Sequence, residues 1–214
     1  MIYLEETFDL EPASPETLDR FVEFAQGSLL PAYQRLGARL AAAWTCNSER
    51  FGQVKQVLEF DDLGALGAFR EEASNDESWA ACAVTIEDLA PVRNSRLMES
   101  LAPIPPETTH AAAAESQKSA VGAYSLAILR VRPGMMSEFM KELGTAASMF
   151  PIVASWRTIA GRSNEVTDVW KGALGQAGYQ PAAEAMKPFF RNLREIAPDE
   201  KLLNVYPLPY SPLL

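Results

Sequence analysis

The sequence predicts an α+β fold in which the order β-α-β-β-α-β occurs twice in tandem. Three observations carry this. In each half, short runs of apolar residues with period 2 alternate with longer runs at helical spacing. A stretch at 103–117 with three prolines, four consecutive alanines and the only histidine, His110, divides the chain near its middle. Finally, the stretch beginning at Trp44 returns at Trp156. With an offset of 112 positions and no gap, Ala42 meets Ala154, Arg50 meets Arg162, Val54 meets Val166 and Val57 meets Val169. A repeat of half the chain is a duplicated domain rather than a solenoid unit. The element order is the ferredoxin-like split βαβ, with helices on one face of an antiparallel sheet.

Residues 2–10 alternate, with Ile2, Leu4, Phe8 and Leu10 on one side and Tyr3, Glu5, Thr7 and Asp9 on the other; only Glu6 interrupts the apolar side. Ser14-Pro15 supplies an N-cap and a proline at the first helical position. Leu18, Phe21, Val22, Ala25, Leu29, Tyr33 and Leu36 follow at helical spacing, with Pro31 expected to kink the helix and Gly37 to end it. Strands are expected at 40–46 and 51–60, a helical region at 61–89 broken near 74–76, and a short strand at 96–101. The second half repeats the order, with a strand at 122–131 and a helix from Pro133-Gly134 to about 150. Strands at 152–158 and 165–171, a helix at 181–197 and a closing strand at 202–206 follow. The expected division is repeat 1 at 1–102, a linker at 103–120 and repeat 2 at 121–214.

Composition narrows the function. The 214 residues carry a net charge of −9, which argues against nucleic acid or an anionic membrane as the main partner. No apolar run approaches the roughly 18 residues of a membrane span. The start reads as a strand rather than the basic region of a signal peptide, and two separated cysteines, Cys46 and Cys82, suit a reduced cytoplasmic protein. One histidine and no CxxC give no protein-ligated zinc site, and no Ser-His or Cys-His pair. Gly172-Ala-Leu-Gly175-Gln-Ala-Gly178 and Gly64-Ala-Leu-Gly67 match neither a dinucleotide fingerprint nor a P-loop, and read as glycine-rich entries to helices. No cofactor is expected: no metal, haem, flavin or nicotinamide.

Tyr3-Leu-Glu-Glu-Thr-Phe8, Leu29-Leu-Pro31, Gly37 and Gln53-Val-Lys-Gln-Val-Leu-Glu-Phe-Asp61 resemble NIPSNAP-type domains of the dimeric α/β-barrel superfamily. So do Trp79 ahead of Asn94-Ser-Arg96, Tyr124, Val131-Arg-Pro-Gly134 and Asn164-Glu-Val-Thr-Asp-Val-Trp170. Where the family often has Glu-Leu-Arg in its first strand, this chain has Leu4-Glu5-Glu6 and Ser125-Leu126-Ala127. Where many members have a histidine in the third strand, it has Gln56 and Asp168. The resemblance implies sheets that pair into one barrel, here within a single chain as an intramolecular pseudo-dimer. It also implies a superfamily range of activities: cofactor-free monooxygenases, isomerases, cyclases, haem-binding enzymes and binding proteins.

In such a barrel Trp44 with Trp156, and Tyr3 with Tyr124, would form apolar walls for an organic ligand. One face of the third strand carries Val54, Gln56, Leu58 and Phe60, and its counterpart Val166, Asp168 and Trp170. A carboxylate between Val166 and Trp170 is costly to bury unless paired, and desolvation raises its pKa toward the range of acid/base chemistry. Asp168 and Glu6 are therefore the candidate catalytic groups, with Gln56 and Trp170 beside them as candidate substrate contacts. The structural alternative for Asp168 is an ion pair with an arginine such as Arg157 or Arg130, or simple exposure at an edge. The opposite face carries Lys55, Glu59, Glu165 and Lys171; if that face lines the lumen, the barrel interior is polar. The expected function is a cofactor-independent isomerase, cyclase or monooxygenase acting on a hydrophobic or aromatic small molecule, in a monomer or homodimer. The alternative is a non-catalytic ligand-binding or interaction module.

Overall fold

The computed structural model describes residues 1–174 and 183–214. Its strands are β1 (Ile2–Asp9), β2 (Arg39–Cys46), β3 (Gln53–Phe60), β4 (Val92–Ser100), β5 (Tyr124–Arg130), β6 (Ile152–Ala160), β7 (Glu165–Lys171) and β8 (Asp199–Pro207). They close into one eight-stranded barrel in the order β1-β3-β2-β8-β5-β7-β6-β4. The first four strands pair as β2-β3-β1-β4 and the last four as β8-β5-β7-β6, all antiparallel. Two seams join these sets, β4 with β6 and β2 with β8. Closure removes every sheet edge, which a pair of open four-stranded sheets would leave unpaired.

Helices cover the outside. The first helical region runs as α1 (Pro15–Phe24), a π-helical turn at Ala25–Leu29 and α2 (Leu30–Arg35). The interruption expected at Pro31 is thus taken up by a wider turn just before it, because proline offers no N–H to the preceding turn. Gly37, at φ 83°, ends the helix where a side chain would be strained. Ser14 accepts from the Thr17 backbone N–H at 3.2 Å as the N-cap of α1. Ser14→Ala is expected to cost about 1 kcal/mol in urea denaturation, the usual worth of such a cap. Then come α3 (Leu63–Ser74) and α4 (Glu77–Leu89), parted at Asn75-Asp76 as expected. Asp62 and Asp76 cap them through the N–H groups of Ala65 and Trp79.

The expected linker is corrected: it contains α5 (Pro106–Ser116). The alanines that read as low complexity are the best helix formers, and Pro106 occupies the first turn, where proline is tolerated. α6 (Met136–Met149) and α7 (Lys187–Ile196) follow in the second half. The start of the helix expected from 181, and Gly175 and Gly178, lie outside the described residues. β4 is longer than expected, nine residues rather than six, because its polar first half reads as loop.

Three buried clusters result. One packs Ile2, Leu4, Phe8, Val54 and Leu58 beneath α1 to α4. A second packs Ala127, Leu129 and Val166 beneath α6 and α7. The third lies inside the barrel, with Tyr3, Trp44, Val57, Tyr124, Trp156 and Val169. α5 packs on β2 and β6 and closes one end, contributing Ala112, with Leu213 beside it. Among the described residues no helix is long and apolar enough to cross a membrane.

Candidate functional site

Strand alternation places the candidates on two different faces, and this corrects the expected site. Tyr3, Glu5, Thr7 and Asp9 point into the barrel, as do Lys55, Val57, Glu59, Glu165, Thr167 and Val169. Glu6, Gln56, Asp168 and Trp170 are on the opposite parity and lie beneath the helices. Asp168 therefore does not share a lumen with Trp44 and Trp156. The physical reason is the helical cover: the more continuous apolar face of each strand meets the helices, and the charged face turns inward.

Inside, the four aromatics fill space rather than line it. Tyr3, Trp44, Tyr124 and Trp156 are each at most 1% exposed. Tyr3 and Trp156 have ring centroids 5.2 Å apart, and Trp44 and Tyr124 6.3 Å. Beyond this plug the other end of the barrel opens as a cavity of about 700 Å³. It is charged: Arg96 holds Glu5 through two hydrogen bonds, at 3.1 and 2.7 Å, and reaches across the lumen to Glu165 at 2.7 Å. Lys55 pairs with Glu49 at 3.1 Å and donates to Thr7 at 3.3 Å. The polar alternation Glu5-Thr7-Asp9 is the sequence signal for this cavity, and the charged face of the third strand lines it, as the polar-lumen alternative has it.

Asp168 sits between the sheet and α6 and α7. It is 4% exposed, and the Ser155 hydroxyl donates to its Oδ1 at 2.6 Å. The ion pair with Arg157 or Arg130 is not formed; Arg157 pairs with Glu99 instead. Burial pushes the Asp168 carboxyl up to about 7; the Ser155 hydrogen bond opposes the rise and the nearby Glu200 charge adds to it. A small cavity of about 40 Å³ adjoins it, walled by Phe139, Leu143, Trp170, Phe189 and Phe190. Phe150 packs on Trp170 at 4.7 Å and on Phe189 at 6.0 Å. Trp170 Nε1 is buried without a partner among the described residues. The site thus joins a buried acid, an unused N–H donor and aromatic walls.

The matching place in the first half is filled. Gln56 Nε2 donates to Tyr210 Oη at 2.6 Å, and Tyr33 Oη donates to Glu6 Oε2 at 2.8 Å. Burial raises the Glu6 pKa, and the Tyr33 hydrogen bond and the charges of Arg93 and Arg70 pull the other way. Glu6 and Gln56 therefore belong to one network under α2, remote from Asp168 in the barrel order. His110, on α5, shares a hydrogen bond with Glu59 Oε2 at 2.8 Å. Among the described residues there is no cluster of three or more His, Cys, Asp or Glu side chains suited to a metal ion.

A closed eight-stranded antiparallel barrel with helices outside both sets of strands defines the class by its fold: a mixed α/β barrel. Solved structures share it along the whole length. A candidate monooxygenase from Fusobacterium nucleatum subsp. nucleatum matches with a TM-score of 0.60 at 11% identity, over 97% of this chain and 92% of that one. An anthrone oxidase-like protein matches with a TM-score of 0.59 at 10% identity, over 99% and 93%. A NIPSNAP domain protein from Burkholderia xenovorans is 23% identical over 49% of this chain and 99% of that one, with a TM-score of 0.44. At these identities the likeness is one of fold. No protein-family model matches the sequence, and no curated protein does.

Proposed function

We propose that the chain is a cofactor-independent enzyme that performs acid/base chemistry on an aromatic small molecule at Asp168. The observation that carries this is a carboxyl held by Ser155 at 2.6 Å beside an aromatic-walled cavity. With its pKa near 7, Asp168 both gives and takes a proton near neutrality. As a base it removes the proton of an acidic C–H or phenolic O–H, while Trp170 Nε1 donates to the oxygen on which charge develops. Of the isomerase, cyclase and monooxygenase forms, the names of the full-length structural neighbours favour the last. The site lies under the helices, not in the lumen, and an organic substrate requires α6 and α7 to part from the sheet.

In the same reading the two halves are tandem copies, 1–102 and 121–214, that form a pseudo-dimer within one cytoplasmic chain, as a monomer or homodimer. Anthrone tests the chemistry: with O2 it gives anthraquinone and water, and both oxygen uptake and the quinone absorbance report turnover. Turnover above the uncatalysed rate that is lost in Asp168→Asn supports the reading. A rate equal to background removes the monooxygenase form. The second reading, a non-catalytic binding or interaction module, is favoured by one observation: the cavity at Asp168 has room for little more than a water molecule.

A further inference from the structure

We propose that the open mouth of the barrel is a second binding site, for a small hydroxylated oxyanion, either a carboxylate or a phosphate. Its volume of about 700 Å³ falls in the range of small-molecule pockets. The chain as a whole carries −9, yet five cationic and four acidic side chains line this cavity. The excess has a specific origin. In the first half the turn arginine Arg50 is neutralised by Asp9 at 3.2 Å and by Glu11 at 2.8 Å. In the second half the equivalent turn arginine is Arg162. The residue in the place of Asp9 is Arg130, since Asp9 faces Gln53 across β1 and β3 as Arg130 faces Glu165 across β5 and β7. Arg162 lines the cavity and forms no ion pair among the described residues.

The other half of the recognition is an acceptor. Gln53 is 6% exposed, and its Nε2 donates to Asp9 at 2.8 Å. Its Oε1 is left buried without a partner among the described residues. A buried acceptor in a cavity wall calls for a donor from the ligand. An anion bearing a hydroxyl satisfies both: its charge meets Arg162 and its O–H meets Gln53.

Isothermal titration calorimetry on the full chain at low ionic strength, with citrate and separately with glycerol 3-phosphate, tests this. Saturable one-to-one binding of at least one probe is expected. It should weaken about tenfold or more in Arg162→Ala and be partly restored in Arg162→Lys, which keeps the charge. Which probe binds tells carboxylate from phosphate. Gln53→Leu should weaken binding without changing its dependence on salt. Absence of binding by both probes at millimolar concentration overturns the proposal, and so does unchanged affinity in Arg162→Ala.

Discussion

Asp168→Asn is expected to give a folded protein that loses turnover by about 10²-fold or more, the usual worth of a general acid or base. Asn keeps the size of the side chain and its acceptor for Ser155, but not the titratable proton. Stability should move the other way. The folded-state pKa of Asp168 is about 7, against 3.8 for an unperturbed aspartate. Between those values the folded protein binds more protons than the unfolded chain, so stability falls as pH rises through this window and stays low above it. A shift of this size corresponds to at most about 4 kcal/mol. The Asn variant lacks that fall. It should therefore be more stable than the parent in urea at pH 8, with the difference closing toward pH 4. Equal stability at pH 8 would mean that Asp168 is ionised at no cost, and the raised pKa would be withdrawn. Unchanged turnover would move Asp168 to a structural role.

Arg96→Met is expected to destabilise the fold by about 3–5 kcal/mol, the cost of stripping a buried ion pair of one partner. Arg96 serves two carboxylates, Glu5 on β1 and Glu165 on β7, which are 6% and 9% exposed. Removing the guanidinium leaves two like charges facing each other inside the barrel. Arg96→Lys should recover only part of the loss, because an ammonium cannot reproduce the two-pronged contact with Glu5. The urea midpoint measures this directly. A loss under about 1 kcal/mol would show that water entering the mouth takes over the role of Arg96.

The fold was largely legible because each signal was local. Period-2 runs, the Ser14-Pro15 start and the break at Asn75-Asp76 are decided by neighbours in sequence, and the repeat at Trp44 and Trp156 supplied the long-range order. The site was legible only in part. Asp168 stood out as a carboxyl on an otherwise apolar strand face, and it is indeed buried. What a period of 2 does not encode is which of its two faces meets the helices. Taking the apolar face as the lumen put Asp168, Gln56 and Glu6 on the wrong side of the sheet. Ser155 and Arg96 stayed hidden because their partners lie across strands, at Asp168 and at Glu5 and Glu165.

The tail at 208–214 crosses from the second half back over the first. Tyr210 meets Gln56, Ser211 Oγ accepts from the Ala43 N–H at 2.9 Å, and Leu213 is buried at the end of the barrel. This has a consequence for how the protein is made. A nascent chain that has emerged only as far as β4 holds one finished layer of helices against its sheet. Its charged and aromatic inner face is still bare, and the seams at β2 and β4 are unpaired. Those contacts span most of the chain, so their closure is slow compared with the local helices. Until β6 has emerged to pair with β4, and β8 with β2, the first half is an open sheet with two unpaired edges, a species in need of a chaperone.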